Sequence, residues 1–526
     1  MITIDHSKKS KTAGQVSDVV RPRKLILLWA IVASIGIFYA LFAFRTFILR
    51  YYPSPPFIYD EGDTLADWLN TCVWSDRSDR YTAWQSLYTP FAHYICTLSN
   101  FIIGEVHPKW YGGWRQFSTV TKWLLIINIG FWLTIILPIK PFSKDNTFKG
   151  SLKRFIIHRF PFKFLTFLSY GALYSFERGN LLSISYVLFW LSFRAVYKPS
   201  LRIACQPILV GIAAAIKPYI LMFSLYGRRW SGLVIALITV VVLQIIPVLL
   251  VGAPGIENLP ANLDYFSRDN KLMDVVSRAV NSLSFKSYLD MKKLAVYGVG
   301  MDIKGLNFLL VLDTLYVISV VIFVIMCFLA VRCLLTSIKI DRHQSKLLLS
   351  ISADSSTHAG NGRLREQLNS RVVLHRYAVP ALLFVFVYMM ISQSSGAYVV
   401  LFLLVPLLCI EEETGIVSSS PILLTLYFLA ICAFDMPWLS AKAYECGIKF
   451  PLDDFRQIPL LSEMTGQEFT CMGTFVGPVS LARPFLVLLF ACFLILKLRH
   501  LIQVDHRALV SEFDDACTPD HHSTTS

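Results

Sequence analysis

Charge is scarce in this chain. Of its 526 residues only 16% are Asp, Glu, Lys or Arg, against about a quarter in ordinary soluble domains, while 55% are apolar and 14% aromatic. That shortage excludes a soluble globular protein, and apolar runs of about 17–25 residues recur along the sequence. Length therefore counts membrane spans. Metal-binding spacings are missing too: the 11 cysteines form no CxxC or Cys/His pattern, which argues against a zinc site. There is no nucleotide-binding glycine loop, no coiled-coil heptad and no tandem repeat of fixed period. A cleavable signal pattern is lacking as well, because the basic stretch Lys8 to Lys24 leads into an apolar run too long for an h-region. A net charge of +14 would suit nucleic acid, but the basic residues lie between apolar runs, where they set orientation, and no soluble module carries them. Membrane lipid is the expected surrounding, and nucleic acid is not an expected partner.

What is present orients the spans. Residues 1–24 read as a cytoplasmic tail, and a first span over 25–48 carries the chain outward. Residues 50–119 are polar, aromatic and acidic and form the first external segment; their apolar run Phe91 to Ile103 is too short to cross, so it lies along the interface or dips into it. A second span, 120–139, returns to a basic loop with Lys140, Lys144, Lys149, Lys153 and Arg154, and spans over 160–176 and 181–196 follow. The next apolar stretch, 203–226, begins at one basic cluster (Arg194, Lys198, Arg202) and ends at another (Arg228, Arg229), so a single crossing strands one cluster outside. Two short helices, Ile203–Ile216 and Tyr219–Tyr226, turning at Lys217-Pro218, resolve the parity, since proline interrupts a helix. One kinked span with two misplaced arginines is the alternative. Further spans are expected at 230–251, 306–331, 376–391, 397–410, 421–434 and 481–498. External segments are expected at 252–305 and 435–480, a flexible cytoplasmic loop at 336–373 and a polar cytoplasmic tail from 499 to 526. The expected fold is an all-α polytopic membrane protein, one transmembrane domain over 25–498 with about ten crossings plus a two-helix re-entrant hairpin, both termini inside. Cys327, Cys409 and Cys492 read as small buried hydrophobes; Cys72, Cys96, Cys446 and Cys471 fall on the external side, where a disulfide can form and its pairing stays open.

Ionisable groups near membrane depth are costly, so they point to function. The stretch YDEGDTLADWLN sets Asp60, Glu61, Asp63 and Asp67 directly after the first span. Such carboxylates suit a general base or a cation site, and equally a solvated acidic loop. Arg178 of FERGN and Lys217 are cations on the same side that can hold a phosphate, one as a fork and the other as a point charge. Asn180 reads as a ligand or a helix cap, and Asn281 as a ligand or a turn residue. An external aspartate beside phosphate-binding cations is what transfer from a lipid-phosphate donor requires.

ERGN, a span, then GIAAAIKPYILMFSLYGRRW resembles the polyprenyl-phosphate-dependent membrane glycosyltransferases of the GT-C superfamily, specifically family 87, a mannosyltransferase-like group. Members show a Gly-Asn or Gly-Gln turn, an AxxLKxxP-like hairpin and a basic pair. Three other stretches are similar: GDTLADWLN with SLYTPF, like the family's early Asp and Tyr-Pro-Pro segment; AVNSLSFKSYL, like its Asn-Ser-Leu loop; and SQSSGAYVVLFLLVPLL, like its Ser-Pro-x-Ser-Trp-x-His helix start. The resemblance runs from Asp63 to Leu408. It implies a GT-C-like helical bundle and an inverting transfer of a hexose from a polyprenyl-phosphate donor to a hydroxyl of a lipid or glycan acceptor. Motif by motif, it gives Asp63 the role of base with Asp60 as rival, Arg178 and Lys217 the donor phosphate, and Asn180, Asn281, Tyr88 and Tyr398 contacts to substrate, with Tyr88 and Pro90 shaping the loop. Gln393, Gly396 and Tyr398 stand where the family has Pro, Trp and His, so any role of that His passes to Tyr398 or is lost. No cofactor is implied, and a metal is not required, because Arg178 and Lys217 supply positive charge. The implied location is the bacterial inner membrane, with the site on its outer face. Two readings compete: a transporter or flippase of a lipid-linked or anionic solute, and a polymerase or ligase of surface glycans, which Arg268 and Arg278 would serve.

Overall fold

The computed structural model describes residues 66–83, 86–103, 130, 133–134, 137–140, 160–167, 169, 172, 179–227, 230–262, 283–296, 308–353, 368–391, 396–432 and 478–517. Among the described residues the regular structure is helical, and no strand occurs. In chain order the elements are α1 (Ala66–Ser75), α2 (Pro90–Ile103), α3 (Phe160–Phe167), α4 (Leu182–Val196), α5 (Pro199–Ile216), α6 (Trp230–Val251), α7 (Ser287–Val296), α8 (Phe308–Ala353), α9 (Val379–Ile391), α10 (Gly396–Thr414), α11 (Pro421–Tyr427) and α12 (Pro478–Cys517). α1 packs on α2, α5 lies between α4 and α6, and α8 runs along α12.

Among the described residues four helical stretches are long and apolar enough to cross a membrane: Trp230–Val251, Leu309–Ser345, Leu368–Ile391 and Leu481–Val504. They differ in what covers them. Only 11% of the apolar window of the first and 17% of the second is buried, whereas 78% of the third is. α6 and α8 therefore turn apolar side chains such as Ile238, Leu249, Val324 and Phe328 outward, as lipid-facing helices do. Leu368–Ile391 and α10 are wrapped by protein and carry the core: Leu382, Phe386, Leu401, Phe402 and Leu404 are nearly inaccessible. The small residue Gly211 lets α5 and α6 meet closely, since a Cβ there would stand 2.7 Å from Thr239 Cβ and 2.8 Å from the Ala236 carbonyl.

The expected break at Lys217-Pro218 is present. α5 stops at Ile216, Lys217 is extended (φ −134°, ψ 101°), and a 3-10 stretch, Pro218–Gly227, follows and packs back on α5. Proline disfavours helical geometry in the residue before it, which is why Lys217 leaves the helix. The second arm, expected as a short helix over Tyr219–Tyr226, is thus a 3-10 stretch. A larger difference lies in the segment expected as a flexible loop from 336 onward: α8 runs on to Ala353. Tertiary contacts hold that extension, because Asp341 receives Arg376 Nε at 3.1 Å and Ser345 Oγ receives its Nη2 at 2.8 Å. The first expected span, 25–48, lies outside the described residues, as does nearly all of the second.

Candidate active site

Two polar residues from sequence-distant helix ends are brought together by one small apolar cluster. Trp68 and Cys72 of α1, Ala92 and Cys96 of α2, Leu181 and Ile216 pack against one another. Leu181 follows Asn180 and Ile216 precedes Lys217, so burying the apolar neighbours fixes the polar pair. Gly179 contributes the turn: its φ of 59° is left-handed and suits glycine. Asn180 then works with both ends of its amide. Its Oδ1 accepts the N–H of Leu182, the first residue of α4, at 2.9 Å, and its Nδ2 donates to Asp67 Oδ2 at 2.7 Å, across 113 residues of sequence.

Lys217 lies opposite. Its Nζ sits 4.8 Å from the centroid of the Tyr88 ring, a cation over an aromatic face. The Asp67 carboxylate acts on it electrostatically, yet among the described residues no ion pair or hydrogen bond joins Lys217 Nζ to another group. A lysine ammonium, partly buried and without a contacting counter-ion, is suited to receiving an anion.

The break in the helix is itself stabilised. Once α5 ends, the Ala215 carbonyl has no helical partner; it accepts Thr89 Oγ1 and Gln244 Nε2, each at 2.6 Å. Gln244 Oε1 in turn accepts the Phe91 N–H at 3.1 Å. Thr89 and Gln244 were not among the expected site residues. Gln244 was open to discovery, since it is an amide within the otherwise apolar run of α6. Behind Tyr88 lies a polar brace. Tyr81 donates to the Tyr88 carbonyl at 3.1 Å, and His93 is set between Ser75 (3.1 Å) and Ser86 (2.9 Å). Arg80 donates to the carbonyls of Ser75 and Gly252, tying the α1–α2 pair to the end of α6. Burial, and secondarily the Arg80 guanidinium, lowers His93 from 6.5 to about 3, so its ring is neutral.

Of the expected site residues, Asn180, Lys217 and Tyr88 converge, and Asp67 joins them. Asp60, Asp63, Arg178 and Asn281 lie outside the described residues. Tyr398 falls in the first turn of α10, and its side chain lies outside them too. Cys72 and Cys96 are buried free thiols; Cys446 and Cys471 lie outside the described residues. Among the described residues no three His, Cys, Asp or Glu side chains group as metal ligands.

A second ionised cluster, also unforeseen, sits at the other end of α4. Lys163 pairs with Glu412, with 1% and 2% of their side chains exposed. Glu412 also accepts the N–H groups of Ile139 (3.0 Å) and Lys140 (3.2 Å), and Lys163 donates to the Leu137 carbonyl at 3.0 Å. Glu413 accepts Tyr197 at 3.1 Å and pairs with Lys140 at 3.5 Å, while Glu411 accepts the N–H groups of Val417 and Ser418. The signal was three carboxylates, EEE, closing an apolar run.

Residues 162–351 match the family model of glycosyltransferase family 87. The match bears out the resemblance read from the motifs and indicates a glycosyltransferase. It covers about a third of the chain, from α3 through most of α8, and takes in Asn180, Lys217 and Gln244; Asp67, Tyr88 and the EEE triplet lie outside it. No curated protein and no solved structure matches the chain.

Proposed function

We propose that this family 87 glycosyltransferase moves a hexose from a polyprenyl-phosphate donor to a hydroxyl of a lipid or glycan acceptor, with inversion, on the outer face of the membrane. The supporting observation is the Lys217 ammonium, seated on Tyr88 and, among the described residues, free of a contacting carboxylate, at a break between apolar helices. A lipid-borne phosphate arrives from the bilayer, so no soluble nucleotide-binding domain is needed.

In the proposed reaction the bond between sugar C1 and the phosphate oxygen breaks, and its electron pair leaves with polyprenyl phosphate. The acceptor oxygen bonds C1 from the opposite side and its proton passes to Asp63, with Asp60 as the rival base. Lys217 and Arg178 stabilise the charge growing on the leaving phosphate, a gain that is larger where water is excluded. Asn180 has a second amide hydrogen for a sugar hydroxyl beyond the one given to Asp67. Tyr88, Asn281 and Tyr398 complete the substrate wall. The topology that goes with this reading is ten crossings and a re-entrant hairpin with Lys217 at its outer tip, in a bacterial inner membrane with both termini inside.

Purified full-length protein in proteoliposomes, given radiolabelled polyprenyl-phosphate mannose and an extract of membrane glycolipids, tests the proposal. Label should appear in an acceptor. Label crossing the bilayer without transfer would favour a flippase and overturn the reading. Labelling of Lys217→Cys and Arg228→Cys in intact cells tests the hairpin: position 217 should react from outside, and outside labelling of position 228 would exclude it.

A further inference from the structure

Asp67 and Lys217 are opposite charges set near one another by the packing of Trp68, Leu181 and Ile216, and no ion pair joins the two. Left alone at a partly buried site, a carboxylate and an ammonium collapse into a contact pair. Here each is held by something else. Asn180 Nδ2 grips Asp67 Oδ2 at 2.7 Å, and Asn180 is itself fixed by the Leu182 N–H and the left-handed turn at Gly179. The Tyr88 face seats the ammonium, and Tyr88 is in turn held by Tyr81 and by Ser86, whose Oγ accepts its N–H at 3.3 Å. The separation is therefore built in, and it leaves a cation whose field is partly cancelled by a fixed anion.

We propose that Asp67 is a specificity-determining residue that sets the charge the Lys217 seat accepts: a phosphodiester with one negative charge in preference to a phosphomonoester or a diphosphate. The inference rests on the phosphate reading of Lys217 and deepens it. Its consequence is directional. The sugar-phosphate donor is a diester with one charge, whereas the released polyprenyl phosphate is a monoester carrying close to two at neutral pH, by analogy with other phosphomonoesters. A nearby fixed carboxylate repels the second charge more than the first, so it favours release of the product and excludes lipid diphosphates. Asn180 is then the stay that keeps Asp67 from neutralising the lysine outright.

The test uses full-length protein in detergent micelles and three probes with one lipid chain: geranylgeranyl methyl phosphate, geranylgeranyl phosphate and geranylgeranyl diphosphate, titrated at pH 7. The parent protein should bind the methyl diester at least as tightly as the monoester. Asp67→Asn keeps the side-chain volume and an oxygen for Asn180, and should shift the monoester-to-diester affinity ratio about tenfold toward the monoester, with a larger shift for the diphosphate. Asp67→Glu restores the charge and should return the ratio to within about threefold of the parent. A merely structural role for Asp67 would weaken all three probes together. A ratio unchanged within about threefold in Asp67→Asn, while Lys217→Met weakens every probe, overturns the charge selection and leaves the phosphate seat standing. Unchanged binding in Lys217→Met removes the seat itself, and both readings fall. Should Asp67→Asn not fold, the parent alone decides: binding the monoester more than about threefold tighter than the diester overturns the inference.

Discussion

The two ends of α4 hold the same kinds of groups in opposite states. At its C-terminal end Lys163 and Glu412 touch, and every oxygen of Glu412 is engaged by a lysine or a backbone N–H. At its N-terminal end, roughly 20 Å away along the helix, Lys217 and Asp67 are kept apart by Asn180 and Tyr88. Closure makes the first cluster a clamp between α3, α10 and residues 137–140. Separation makes the second a receptor for a charge that comes from outside the chain. Burial alone does not distinguish them; the satisfaction of the cation does.

The largest expected effect tests the receptor end through its proposed base. Asp63→Asn should lower transfer by about a hundred- to ten-thousandfold while donor binding holds, because the amide keeps the volume and loses the basicity. Asp60→Asn sorts base from rival, and full activity of both variants at matched protein levels would take the base away from this segment. Exchanging the defect between the two ends comes next. Lys217→Met should cost ten- to a hundredfold in kcat/KM with the melting temperature close to that of the parent, since one charge-assisted contact to phosphate is lost and no buried partner is stranded. Glu412→Gln should do the reverse, destabilising the fold by about 3–5 kcal/mol because Lys163 is left buried without its counter-charge. If Lys217→Met unfolds the protein while Glu412→Gln leaves its stability unchanged, the contrast is inverted.

A smaller effect is expected from Gly211→Ala, which drives a methyl group into Thr239 and the Ala236 carbonyl. Helix separation should cost about 1–3 kcal/mol and disturb the Gln244–Ala215 link that supports the break. Thermal melts against Gly211→Ser, which adds a larger group still, check the direction. The smallest effect is a pH dependence carried by His93. Its folded value is about 3 against an ordinary 6.5, so above 6.5 the ring is neutral in both states and stability is full. As pH falls from 6.5 toward 3 the unfolded chain takes up the proton and the folded chain resists it, with a loss of up to about 1.4 kcal/mol per pH unit. Melts of the parent and His93→Gln at pH 7.5 and 5.5 should converge at the lower pH; parallel curves would mean that the ring is not held neutral.

How much of this was legible in the sequence varies residue by residue. The break at Lys217-Pro218 was, because proline acts locally on the residue before it and on the helix it interrupts. So was the turn at Gly179-Asn180, through the Gly-Asn pair of the motif. The partnership of Asn180 with Asp67 was not: the two are 113 residues apart, and in the sequence Asp67 is one of four carboxylates of an acidic stretch. Nor was the helical extension of α8 through Ala353, since its polar composition suits a loop and it is held by tertiary contacts, among them those of Arg376 with Asp341 and Ser345.

By itself the sequence determined the membrane character, the helical class, the position of the central break and the likeness of the segment 162–351 to glycosyltransferase family 87, because hydrophobicity, proline geometry and motif spacing are properties of neighbouring residues. Tertiary structure alone decided which charges meet. Lys163 and Glu412 closed into a pair because backbone N–H groups of 139 and 140 complete the carboxylate's shell, while Asp67 is held by the Asn180 amide and Lys217 is seated on the Tyr88 ring.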